Sequence, residues 1–251
     1  MKESCGSCNE TLADFRDGVC IHTDQVYDSC RERDCLEDLQ VILTRCGQEL
    51  VDRAINVKVK SAEVIWVFID LDPVPFNKGF FTVDIKYFFK VTLDVFCGIG
   101  RPTEVEGLAT FDKRVILFGS EGNSKIFTSK HDPGAQLPSM WTKNNLPKAV
   151  VEVVDPIALN AKLVDAKDCH CCCNNVAGIP DNICRCFGDD LVLGDADKAV
   201  FVTLGLFTII KIERNVQLRI PAIDFCVPTR ECLAATGALL LTQIFIIKKS
   251  T

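Results

Sequence analysis

Histidine is scarce in this chain, with three in 251 residues, at positions 22, 131 and 170. Proton-transfer chemistry near neutral pH leans on that side chain, and only His170 stands among other potential ligands or nucleophiles. Basic clustering is lacking too: net charge is −6, and Lys and Arg are scattered. A phosphate-backbone binder needs a basic stripe, so nucleic acid is excluded as a main partner. Long apolar runs are also missing. The longest, Leu233 to Ile247, is interrupted by Thr236, Gly237, Thr242 and Gln243, and it falls short of the ~20 residues a spanning helix needs. Met1-Lys2-Glu3-Ser4-Cys5-Gly6-Ser7-Cys8 places an acid and two thiols where a signal peptide needs an apolar core. No membrane span and no secretion signal are therefore expected. Gly98-Ile99-Gly100 and Gly119-Ser120-Glu121-Gly122 lack the strand–loop–helix setting of a phosphate cradle and read as turns.

Convincing helical periodicity is scarce as well, and β-branched residues dominate the long apolar runs. Val57 to Lys60 alternates apolar and charged residues, and Val64 to Ile69 is continuously apolar. Phe80 to Phe96 alternates over most of its length, as a half-buried strand does. Val105–Phe111 and Arg114–Phe118 read as two strands joined by a turn at Asp112-Lys113, while Pro73, Pro75, Asn77 and Gly79 break the preceding pair. The fold class expected is mainly β, with one or two β-sandwich-like units. A cysteine-rich N-terminal arm spans 1–40, a first β unit 41–130, a linker or long loop 131–148, and a second β unit 149–251. The last contains a central cysteine-rich loop over 169–186. With 48% hydrophobic residues the chain has ample material for a core, which excludes global disorder.

The abundance is in cysteine: fifteen residues. So many thiols are unusual in a cytosolic enzyme, and three fates are open to them. Cys169, His170, Cys171, Cys172, Cys173, Cys184 and Cys186 have the donor chemistry for zinc. Their spacing matches no standard finger, and three consecutive cysteines cannot all face one metal on a regular backbone. Disulfides within or between chains are the second fate, and free thiols the third. A Cys172–His170 nucleophile pair is the only thiol-enzyme arrangement on offer, and Asp70-x-Asp72 reads as the end of a strand rather than as a cation site. No catalytic constellation emerges, and neither enzymatic activity nor a cofactor is expected. Thiols spread over both ends and the middle favour crosslinking over a four-ligand metal site.

The segments VYDSCRERDCLEDL (26–39) and VTLGLFTIIKIERNVQLRIPAIDFCVPTREC (202–232) resemble the cysteine-rich proteins of clostridial spore surfaces, the exosporium and coat. This resemblance implies a structural subunit that assembles with copies of itself into a crystalline layer reinforced by disulfides, beside other spore-surface proteins. It marks Cys30, Cys35, Cys226 and Cys232 as crosslinkers. Cys5, Cys8, Cys20, Cys169, Cys171, Cys172, Cys173, Cys184 and Cys186 are further candidates for the same role. Synthesis in a mother-cell cytosol would keep thiols reduced during assembly, and lysis would then expose them to oxidation.

Overall fold

The structure is a computed structural model and describes residues 18–98, 100–122, 124–126, 143–165, 179–192, 196–221 and 228. In chain order the elements are β1 (Gly18–Leu43), α1 (Arg45–Asp52), β2 (Asn56–Pro73), β3 (Phe80–Phe96), β4 (Thr103–Phe118), β5 (Lys125–Ile126), β6 (Lys143–Asn144), β7 (Lys148–Val153), β8 (Ile157–Asp165), α2 (Asp181–Cys184) and β9 (Lys198–Pro221). By compactness the chain divides into one unit of residues 1–21 with 218–251 and a second of residues 22–217. In the first, the Arg219 side chain lies over the backbone of Gly18.

The second unit is mainly β, as expected. Its strands follow the order β2-β3-β4-β1-β9-β7 in one seven-stranded sheet, with β8 also on β9. β7 and β8 run against the same strand, Val151 opposite Ile210 and Leu163 opposite Val200, so they form one line of chain broken around Pro156. The sheet curls until β2 lies beside β8, giving a nearly closed barrel.

β3 shows why the sequence folds this way. Val83, Ile85, Tyr87, Phe89, Val91, Leu93 and Val95 form one inward row, each almost wholly buried. Each such side chain contributes about 1.5–3 kcal/mol on burial. β4 matches this row without a slip from Phe80–Phe118 to Val95–Thr103. β2 does not. Two register shifts, at Val59/Ser61 and Val64/Trp66, each flip the side-chain parity by one residue. Val57 enters the core ahead of the shifts, which return Ala62 and then Val67, Ile69 and Leu71 to it and put Trp66 and Phe68 outside. At β1 the backbone of β4 comes close: a Cβ on Gly107 would lie 2.5 Å from Val41 Cγ1 and 2.8 Å from the carbonyl of Ile42.

The two ends of the barrel are closed differently. At one, α1 is capped by the Thr44 hydroxyl, which accepts from the Gly47 N–H at 3.3 Å, and it seals the core with Val51. At the other, the buried Arg214 guanidinium donates to the carbonyls of Gly119 and Ser120 at 3.2 Å, and to those of Gly122 and Asn145. The sheet outside is charged, with cross-strand pairs such as Lys90–Glu106 at 2.7 Å and Arg114–Asp84 at 2.5 Å.

Two sequence expectations are corrected here. β4 runs unbroken through Asp112 and Lys113, because Lys113 turns inward and holds Glu32 and Asp34 at 2.5 Å each. From Gly18 onward the cysteine-rich N-terminal segment is the long strand β1. Burial works against the Lys113 charge, but its hydrogen bonds to Asp34 and Glu32 outweigh burial and raise its pKa. Beside it, Tyr87 Oη and Thr208 Oγ1 are buried and neither completes a hydrogen bond. Burial raises the Tyr87 pKa, and the nearby Thr208 hydroxyl offsets this only in part.

A neutral tyrosine in the folded chain loses its advantage once the unfolded phenol ionises, near pH 10. Its contribution is therefore complete below that pH and lost above it. Tyr87→Phe is expected to leave stability at pH 7 unchanged or raised by up to about 1 kcal/mol, and to flatten the loss of stability at alkaline pH. Denaturant midpoints measured from pH 7 to 11 test both effects. A fall of several kcal/mol at pH 7 would show that the hydroxyl has a strong partner.

Candidate functional site: surface thiols and an apolar outer face

Seven of the cysteines lie among the described residues, and none of these is bonded to another: Cys20, Cys30, Cys35, Cys46, Cys97, Cys184 and Cys186. Cys5, Cys8, Cys169, His170, Cys171, Cys172, Cys173, Cys226 and Cys232 lie outside them, as does the apolar run from Leu233 to Ile247. Among the described residues no group of three or more His, Cys, Asp or Glu is placed to hold a metal ion, and no helix is long and apolar enough to cross a membrane.

Each described thiol owes its setting to the strand or helix that carries it. Cys30 faces inward from β1 and packs against the core. Burial first, then the charge of Glu32, push its pKa up. Cys46, one residue into α1, is exposed, and its N–H donates to Asp189 Oδ2 at 3.0 Å. Hydrogen bonding to Asp189 and that carboxylate's charge raise the thiol pKa. Both resolved shifts run away from the thiolate that nucleophilic chemistry requires. Cys97 follows β3, and its thiol points at the Leu50 carbonyl, 3.5 Å away.

Cys184 and Cys186 ride on a strap, residues 179–192, laid across the outside of the sheet. Ile183 and Phe187 on the strap bury Phe88 and Leu108, with Ile42, Ile65, Ile179 and Leu191 around them. The strap is also tied to the barrel by backbone: Arg45 N–H donates to Asp190 O at 2.9 Å, and Val192 N–H donates to Leu43 O at 2.8 Å. The polar edge of the strap thus holds two thiols in solvent while its apolar edge fixes their position.

No protein-family model matches the chain, and neither the curated proteins nor the solved structures give a match.

Cys35 stands beside one of the recesses of the outer surface. On the strands β1, β8 and β9, a shallow pit is lined by Arg33, Cys35, Val154, Ile157, Gly205 and Phe207. The Arg33 guanidinium lies 6.0 Å from the centre of the Phe207 ring. Ile157 and Leu159 stay 69% and 56% exposed at its rim. At the β2–β3 turn, Phe76 is fully exposed and has a φ of 62°, a left-handed backbone uncommon for a bulky residue.

Other motifs resolve simply. Asp70 and Asp72 sit inside β2 opposite Asp84 and Thr82, and the strand ends at Pro73. Gly119 to Gly122 presents carbonyls to Arg214, the opposite polarity to the N–H groups of a phosphate cradle. Sequence reasoning missed the pit and the exposed Phe76. The signal for Phe76 was an aromatic residue set between Pro75 and Asn77 in a turn.

Alkylation of the native chain is expected to be fast at Cys35, Cys97, Cys184 and Cys186, slower at Cys46, and slowest at Cys30. Because Asp189 raises the Cys46 pKa, Asp189→Asn lowers it, enlarges the thiolate fraction at pH 7, and speeds Cys46 roughly threefold to tenfold. Peptide mass spectrometry after timed labelling reads each site. Unchanged Cys46 labelling in the variant would refute the link to Asp189.

Proposed function

We propose that this chain is a structural subunit that assembles with copies of itself into an ordered layer on a spore surface, where its thiols later lock neighbouring copies together. One observation carries the reading: the exposed described thiols are spread over β1 (Cys20 and Cys35), α1 (Cys46), the end of β3 (Cys97) and the strap (Cys184 and Cys186), and among the described residues they do not gather into a metal-holding group. A metal site needs its donors to converge, whereas crosslinks to several neighbours need thiols that face different ways. The nearly closed, apolar-cored barrel adds a stiff body that can hold those thiols in register. A disulfide forms only where Cα atoms already stand about 4.4–6.8 Å apart, so non-covalent contacts must place the copies first. On this reading the chain is not an enzyme and needs no cofactor, and its partners are further copies and other spore-surface proteins.

Negative-stain microscopy of the purified chain, with and without reductant, is the deciding experiment. Ordered sheets or rings are expected in both conditions. Boiled samples without reductant should run as ladders on gels, and samples with reductant as monomer. Replacing Cys171, Cys172 and Cys173 with Ser is expected to leave ordered particles visible and to lower their resistance to denaturant. Monomer in every condition would sink the proposal. Near-stoichiometric zinc by elemental analysis, with unfolding on chelation, would move the function to a zinc-binding interaction module built on the 169–186 cysteines.

A further inference from the structure

Two surface features of the second unit have no explanation within one copy of the chain. The first is the β2–β3 turn, where Phe76 holds a left-handed φ of 62° and its ring touches nothing. A bulky residue in that backbone region is a strained outlier, and strain of this kind concentrates at functional positions. The turn's hydrogen bonds are complete without the ring: Val74 N–H donates to Phe80 O at 2.9 Å, and Asn77 N–H to Val74 O at 3.3 Å. The second is the pit on β1, β8 and β9. Its floor is Gly205, where an added Cβ would find only Leu159 Cδ1 at 3.8 Å and Ile157 at 3.9 Å. The floor therefore has room for a side chain that the chain does not supply. Its lining includes Val154, Ile157 and Phe207, with Cys35 beside them and the Arg33 guanidinium over the Phe207 ring.

We infer that Phe76 of one copy seats in the Gly205 pit of the next, so that copies join head to tail. The inference rests on the self-assembly reading above and names the contact that drives it. Size and chemistry agree, since one aromatic ring meets an apolar recess with an aromatic wall. Charge agrees as well. The turn from Pro73 to Gly79 carries one charge, the exposed Lys78. Of the charged residues lining the pit, Asp34 is already held by Lys113, which leaves the exposed Asp155 to meet Lys78.

Distance rules out a fit within one copy. Asp155 at the pit binds the Val64 N–H of β2 at 2.9 Å, while the turn begins after Pro73 at the far end of that strand. At roughly 3.3 Å per residue the tip lies about 30 Å beyond the pit. A contact between two different patches is heterologous, and repeated copies of it close into rings or run on as rows. Cys35 at the margin then lies beside every such joint, where oxidation can staple it.

The test uses the full chain under reductant, followed by sedimentation velocity. Phe76→Ser removes the knob and keeps the pit. Gly205→Val fills the pit and keeps the knob. The Cβ of a valine meets only ordinary contacts there and valine suits a strand, so a denaturation midpoint that holds separates loss of the contact from loss of the fold. Each variant alone is expected to raise the concentration for half-association at least about tenfold. An equimolar mixture is expected to form dimers and nothing larger, because one joint remains possible and it cannot propagate. If the wild type assembles and both variants assemble equally well, the knob-in-pit contact is wrong and self-assembly stands on another surface. If both variants are monomeric and their mixture stays monomeric, the contact is likewise wrong. A wild type that never assembles overturns the inference and the function together.

Discussion

The inward row of β3 is the constraint on which the barrel depends. Tyr87 and Phe89 stack in parallel with ring centres 6.1 Å apart, and Phe111 of β4 packs on Tyr87 at the same distance. A strand side chain can face only one of two ways, so every neighbour must bring its apolar residues to the same side. β4 does so by simple pairing, whereas β2 needs two bulges in close succession. Those bulges add local twist, which helps the sheet curl back far enough for β2 to meet β8. The exposed Trp66 and Phe68 are the by-product of the same parity change.

Curling leaves the question of unpaired backbone at the seams. At the β1–β4 seam, direct pairing is confined to Ile42–Leu108 and Leu43–Gly107. Farther along, the Phe118 N–H donates to Asp28 Oδ2 at 2.9 Å, and Lys113 links to Glu32 and Asp34. At the β2–β8 seam, Asp155 takes the Val64 N–H. Carboxylates thus serve where a strand would otherwise pair, and these edges turn toward each other instead of outward. Strand addition, a common route to polymers, finds little purchase on such a body. Under the proposed self-assembly, contacts between copies fall to side chains on the outer faces.

The strongest strand was legible because its alternation is nearly unbroken. Phe80 to Phe96 reads as half-buried from residue type alone, and the turn at Pro73, Pro75 and Gly79 reads from turn chemistry. Both misreadings share one cause. Asp112-Lys113 looks like a turn, and residues 28–39 look like a solvated arm, because each carries charge that belongs inside only in the other's presence. Lys113 stays 11% exposed while paired with acids some eighty residues earlier in the sequence. No local pattern encodes that pairing. The pit escaped for a related reason: Gly205 and Ile157 are ordinary strand residues until β8 is laid on β9 with Ile157 opposite Gly205.

The thiols fit an order of events in which geometry comes before covalency. Exchange proceeds through the thiolate, so a thiol with a raised pKa reacts slowly even when oxidant is present. Cys30 is slowed by burial and Cys46 by Asp189, and neither restraint is catalytic in character. A subunit whose thiols reacted early would crosslink at random encounters and lose any regular lattice. One whose joints form first, through a ring seated in a recess, brings the same few thiols together at every repeat. On the proposed function, the covalent step then records an arrangement that apolar contact and strand rigidity have already chosen.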